Sequence, residues 1–170
     1  MRKQLAIIVL SLLSTSAMAA ELPLGLSTAV VGSVTVGETL LVGAASPEHR
    51  AMHGACHEAL LACEEVVRPG ATLGDVFATH ARILDAAGYR EHRLNACGYG
   101  MGAVYAPVWT DWPMIYEGNP LVFEAGHVFF LHMILLDFGS QRAMTLGHTV
   151  VVTDTGCERL SRSDLGLVVV

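Results

Sequence analysis

Lysine is almost absent from this sequence. Lys3 is the single one in 170 residues, and it falls in a stretch that reads as a removable leader. Beyond that stretch no side chain is available for Schiff-base chemistry, a lysine general base or a P-loop phosphate contact. Charge is sparse too, at 15% of residues against 52% hydrophobic. A disordered tail shows the reverse balance, so a packed core is expected. Asp and Glu total 16 and Lys and Arg 10, a net charge of −6. With no basic run, there is no case for nucleic acid or an anionic membrane surface as a partner. No CxxC pair occurs among Cys56, Cys63, Cys97 and Cys157, which rules out zinc-ribbon and thioredoxin-like readings. The length fits one domain.

The N-terminus reads as an export signal. Met1-Arg2-Lys3 is a short positive segment, Leu5 to Leu13 is apolar, and Ala17-Met18-Ala19 is a small-x-small cleavage site. Residues 1–19 are therefore expected to be a signal peptide, which makes the chain periplasmic or secreted. The alternative is a start codon misplaced upstream of a truncated gene, which leaves it cytoplasmic. The apolar run is too short for a stable membrane span, and no other segment approaches ~20 apolar residues. Cys56 and Cys63 lie seven apart on a predicted helix, ~10 Å along its axis, so they cannot bond to each other. The cysteine pattern is that of a reduced core, in tension with export.

Residues 20–37 form an N-terminal strand segment, with strands expected over Ala29–Val36 and Thr39–Val42. Residues 38–165 form the body, and 166–170 a tail. Ser46, Pro47 and Glu48 are an N-cap, a first-turn proline and a first-turn acid, which start a helix over 47–67. Met52, Cys56, Leu60, Cys63 and Val67 recur at helical spacing. Arg68-Pro69-Gly70 stops it. Thr72 and Asp75 form a capping-box-like pair opening a second helix over 73–87, which Gly88 ends. Val76, Phe77, His80 and Leu84 line its apolar face. Leu94–Gly102 reads as extended, 106–120 as a proline-containing loop with two tryptophans, and Val128–Leu136 and Thr145–Thr153 as apolar strands. Two helices packed on a curved, mostly antiparallel sheet is an α+β layout.

Few residues are candidates for chemistry. His49, His53 and His57 share one helical row, so two of them could clasp a metal, but the H-E-x-x-H arrangement with its glutamate base is absent and the row reads as a solvated face. Gly98-Tyr99-Gly100-Met101-Gly102-Ala103 fits G-x-G-x-x-A on paper, but Pro107 forbids the helix a dinucleotide site requires. Those glycines instead let a strand pass close to another backbone or a ligand. His132 and His148 each sit inside an apolar strand, as core residues or as metal or acid–base groups. Alternation puts Val128, Phe130, His132 and Ile134 on one face. Ser140 lacks the G-x-S-x-G elbow of a serine hydrolase.

The order of these segments resembles the C-terminal half of the pita-bread catalytic domain of creatinase, methionine aminopeptidase and Xaa-Pro peptidases, over roughly residues 38–165. The residues that carry the resemblance are Val42-Gly43 to Ser46-Pro47-Glu48, Arg68-Pro69-Gly70-Ala71-Thr72, Leu94 to Gly102, Gly126-His127-Val128-Phe129, and Gly147 to Thr153 with Gly156-Cys157-Glu158-Arg159-Leu160. The ectoine-hydrolase-like and Xaa-Pro-peptidase-like branch is the most similar. The resemblance implies a two-metal hydrolase of a C–N bond, in which two Asp, one His and two Glu hold Mn, Co or Zn and a bridging water attacks an amide carbon.

The sequence departs from that pattern at each ligand. Residues 21–45 hold no Asp, the family His falls at Tyr99, the first Glu at or near His132, and the second at His148, or at Gly147 one register away. The resemblance then implies a pocket of Tyr99, Gly100, His132 and His148 with Trp109 or Trp112 at its rim. His132 and His148 are its catalytic candidates. A single metal on His132, His148 and Glu124 is the residual metal site, or no metal binds at all. The expected function is that of a metallopeptidase-family hydrolase by ancestry, with weak or no catalysis. The alternatives are a non-catalytic protein binding a small amide or peptide, an interaction protein, or a truncated gene product. A homodimer stays open.

Overall fold

The computed structural model describes residues 8–10, 36–41, 43–101, 111–162 and 164–170. Its elements are β1 (Ile8–Leu10), β2 (Val36–Leu41), α1 (Pro47–Val66), α2 (Leu73–Ala86), β3 (Ala96–Gly100), β4 (Asp111–Tyr116), β5 (Val128–Asp137), β6 (Arg142–Val152), β7 (Cys157–Arg159) and β8 (Val168–Val169).

Both helices start where the sequence places them, because both caps are made. The Ser46 side chain accepts from the His49 amide, and the His49 ring accepts from the Ser46 amide. Thr72 and Asp75 exchange the same two bonds at 3.0 and 2.8 Å. Gly88, at φ 86°, takes the left-handed conformation that ends α2.

The strands form one sheet in the order β1-β2-β6-β5-β3-β4, with β7 on β6 and β8 parallel on β2. β5 and β6 are its spine, an antiparallel hairpin in register from Val128 opposite Val151 to Asp137 opposite Arg142. Asp137 accepts from the Ser140 amide and closes the turn.

α1 lies on β5 and β6, and α2 packs against α1 and β4. Between helices and sheet Met52, Cys56, Leu60 and Cys63 meet Val76, Phe77 and Leu84 and the inward residues Leu131, Met133, Leu135, Met144, Leu146 and Val150, all buried. This is the expected α+β layout of two helices on a mostly antiparallel sheet. The four cysteines are free thiols. Among the described residues no helix is long and apolar enough to cross a membrane.

Three expectations change. β2 is a single strand across the break expected at 37–38, while 29–35 lie outside the described residues, as does the expected leader apart from β1. The 106–120 loop contains a strand, β4, because Pro113 sits on the sheet's edge strand, where a missing N–H costs no ladder bond. β6 begins at Arg142, earlier than expected, because the hairpin turn is tight.

Leu60 has no exposed surface and sits where both helices meet the sheet. Leu60→Ala is expected to cost ~2–5 kcal/mol of unfolding free energy, as a core truncation that leaves a cavity. A denaturant titration showing a loss below ~0.5 kcal/mol would mean that this face is not a close-packed core.

Candidate functional site: the sheet face opposite the helices

Side chains alternate along a strand, so the two faces of β5 are read by parity. Leu131, Met133 and Leu135 face the helices. Phe130, His132 and Ile134 face the other way. The register fixes what stands beside each one: Phe130 lies opposite Thr149 on β6 and Tyr99 on β3, His132 opposite Gly147, and Ile134 opposite Thr145. Tyr99 in turn pairs with Met114.

The centre of this face is aromatic and uncharged. The Tyr99 and Phe130 rings are 5.4 Å apart, and the Phe130 and His132 rings 4.8 Å. His132 Nε2 shares a 2.5 Å hydrogen bond with Thr145 Oγ1. Burial pushes the His132 pKa down to about 4 and the Tyr99 phenol up to about 12. Near neutral pH both are neutral.

Gly147 is held open by its surroundings. A Cβ there would lie 2.5 Å from the Leu131 carbonyl oxygen and 2.8 Å from Cζ of Phe130. The Phe130 ring thus overlies the position facing His132. Gly98 is similarly confined, between the Phe130 carbonyl and Ile115. The close backbone approach expected of the Gly98–Gly100 strand is present.

His148 is not in this site. It lies opposite Leu131 and shares that residue's face, toward the helices. Its side chain is fully buried, with Nε2 3.5 Å from Glu64 Oε2. Glu64 is gripped by Arg159 at 2.7 and 3.2 Å. Burial pulls the His148 pKa down to about 4, against the opposing pull of Glu64, so the ring is neutral near pH 7 and the approach to Glu64 is not an ion pair. Neither ring nitrogen has a hydrogen-bond partner. His132 and His148 therefore sit on opposite faces of one sheet, and the pocket expected to unite them is not formed. The residue across from His132 is Gly147.

The other expected members are scattered. Glu124 lies in the turn before β5, 72% exposed on its side chain and 3.9 Å from His127. His132 is four strand positions beyond the start of β5, ~13 Å along it. Trp112 is 68% exposed at the sheet edge. Gly100 packs against the Trp112 carbonyl, 2.8 Å from where a Cβ would stand. Trp109 lies outside the described residues. Strand parity alone already placed Phe130 beside His132, whereas Thr145 and the choice of Gly147 over His148 depend on the hairpin register.

The residues on this face do not fit a two-metal centre. They supply one imidazole tied to a hydroxyl, a phenol far from its ionisation range and a glycine, where two divalent ions ~3.5–4 Å apart need anionic ligands to offset their charge. Among the described residues no group of three or more His, Cys, Asp and Glu could hold a metal ion.

Residues 31–154 match the model of metallopeptidase family M24. The chain belongs to this family. An Xaa-Pro dipeptidase of Lactobacillus helveticus is 28% identical over 134 residues, covering 78% of this chain and 34% of that protein. The crystal structure of dipeptidase PepE from Mycobacterium ulcerans superposes with a TM-score of 0.72 at 28% identity, covering 79% of this chain and 35% of that one. Methionine aminopeptidase from Rickettsia prowazekii shares the fold at a TM-score of 0.58 and 21% identity, covering 74% and 57%. The chain thus spans about a third of the length of the curated relatives it matches. The pita-bread resemblance, in its C-terminal part, is confirmed by the family match and the shared fold.

Proposed function

We propose that this M24 chain is a hydrolase by ancestry whose own site does not sustain two-metal amide hydrolysis, and that it binds a small amide or peptide on the sheet face bearing Tyr99, Phe130 and His132. The observation that carries this reading is Gly147 facing His132 beneath the Phe130 ring. Where a second ligand would stand there is no side chain, and the space is filled by an aromatic ring.

The same surface suits a neutral, planar ligand. Tyr99 and Phe130 are buried beside His132, so a ligand would enter by parting two apolar rings that can then stack on it. The His132–Thr145 pair offers a donor and an acceptor to an amide. Binding through such groups depends on neutral imidazole, not on a metal.

Three measurements on the purified full chain test this together: trace-metal content, hydrolysis of Xaa-Pro dipeptides, and the melting temperature with and without a dipeptide such as Ala-Pro. The expected results are no pair of metal ions and no metal that His132→Ala removes, no metal-dependent cleavage, and a dipeptide-induced melting shift that His132→Ala removes. A ligand at ~100 times its Kd adds about 2.7 kcal/mol of stability, enough for a clear shift. Binding of two Mn or Zn ions, with cleavage lost in His132→Ala, overturns the reading in favour of a working hydrolase. No cleavage and no dipeptide-induced shift overturn it in favour of an interaction protein or a truncated gene product.

A further inference from the structure

The histidine row of α1 is not the solvated face its spacing suggested. His49 is buried in the N-terminal cap, its Nδ1 accepting from the Ser46 amide. His53 is half-buried, its Nε2 3.0 Å from the Leu165 carbonyl oxygen, contributed by the C-terminal segment. His57 stacks on His53, with ring centroids 6.1 Å apart and planes inclined by 28°.

These contacts fix the chemistry of the His53 ring. A carbonyl oxygen only accepts, so Nε2 carries the hydrogen and Nδ1 presents a lone pair. An imidazole whose N–H is anchored on a backbone carbonyl is the usual arrangement of a metal-ligating histidine, because the anchor sets tautomer and orientation and raises basicity. His57 follows at i+4, which places both rings over one helical face. No hydrogen bond holds the His57 ring among the described residues, so it is free to turn toward Nδ1 of His53. An ion ~2.0–2.1 Å from each nitrogen fits between rings at this separation after a modest rotation of His57.

We propose that His53 and His57 form a two-imidazole site for a borderline divalent cation, Cu(II), Ni(II) or Zn(II), with water in the remaining positions and the Leu165 carbonyl as the outer anchor. His49 is not a third ligand, since its Nδ1 is taken by the cap and its Nε2 carries the proton. Imidazole ligands without carboxylates favour these ions over Mn(II) and Mg(II). The site lies on α1, away from the Tyr99–His132 face on the other side of the sheet, and is independent of the function proposed above. Bound metal would tie the C-terminal segment at Leu165 to the helix.

Calorimetric titration of the full chain with Zn(II), and with Mn(II) as a contrast, tests the site. The expected result is one Zn(II) equivalent and no Mn(II) binding. His57→Ala should weaken Zn(II) by about tenfold or more, and so should His53→Gln, which keeps a donor for Leu165 but loses the ligand; changes to outer-shell groups alone reach ~10–100-fold. His132→Gln should leave Zn(II) binding unchanged. Circular dichroism checks that each variant is folded, with His57→Gln replacing His57→Ala if the alanine variant is not. Zn(II) binding that survives His57→Ala or His53→Gln overturns the proposal, as does an absence of Zn(II) binding to the parent chain. Loss of binding in His132→Gln alone also overturns it, and points instead to a metal on the sheet face.

Discussion

Acidification from pH 7 to pH 4.5 is expected to remove most of the stability of this fold. Three histidines carry the effect: His80, His132 and His148, each with its pKa pulled down to about 4, chiefly by burial. The unfolded chain offers each its ordinary value near 6.5. Above that value neither state binds the proton, and the full stability is present. Between about 6.5 and 4 the unfolded state binds protons that the folded state refuses, so stability falls as the pH falls. Each group contributes a slope of at most about 1.4 kcal/mol per pH unit. Three together reach a loss comparable with the ~5–15 kcal/mol that holds a domain folded.

The surroundings of the three rings differ, which makes the effect separable. His80 is fully buried with both ring nitrogens unpartnered, tilted on Phe77 at 5.4 Å. Arg93 lowers its pKa and Asp85 raises it, and these two are bonded to each other at 2.6 Å. His148 faces Glu64 and Arg159. His132 faces Thr145 and has no charged neighbour among the described residues. Replacing His80 by leucine should therefore flatten the pH dependence by roughly one histidine's share, about 1.4 kcal/mol per unit. Urea midpoints at pH 7, 5.5 and 4.5 measure this. Equal midpoints at pH 7 and 5.5 would show that these rings protonate in place. Asp85, Asp75 and Asp137, whose pKa values are held down by hydrogen bonds, act in a lower window, below the ordinary carboxylate value.

The helices were legible because their signals are local. Ser46, Pro47, Thr72 and Asp75 act within one turn, and the stripe from Met52 to Cys63 repeats at the helical period. The long strands were legible because β5 is apolar almost throughout. β4 was not, since Pro113 and Trp112 read as loop residues unless the strand is known to lie at an edge. The face of His148 was not legible either. It depends on the register of the β5–β6 hairpin, hence on the Phe138–Gln141 turn that puts Asp137 opposite Arg142. A register one residue away would have placed His148 beside His132. The role of His53 was hidden for a different reason: its partner, Leu165, is 112 positions away, and no helical period reports that contact.

Gly147→Ala is expected to destabilise the chain by ~1–3 kcal/mol, the usual cost of forcing an extra carbon into a packed region. The added Cβ would meet the Leu131 carbonyl at 2.5 Å and the Phe130 ring at 2.8 Å. The first obstacle is backbone of the paired strand and cannot swing aside. The second is the end of a side chain that can. Phe130→Leu in the same chain should therefore recover part of the loss, giving a coupling of ~0.5–3 kcal/mol between the two sites. Gly147→Glu is expected to cost more than Gly147→Ala. Its carboxylate would have to enter beside Tyr99, Phe130 and neutral His132, where no cation awaits it among the described residues, and burying an unpaired charge is costly. It should accordingly leave the chain less stable and still without a metal on this face. Denaturant midpoints of the two single variants and the Gly147→Ala/Phe130→Leu pair decide the matter. Strict additivity would mean that the Phe130 ring does not fill the place opposite His132. Stable Gly147→Glu protein that takes up Mn(II), or more Zn(II) than the parent chain, would mean that the family's metal chemistry is one substitution away, and that this face is an interrupted catalytic centre, not a rebuilt binding surface.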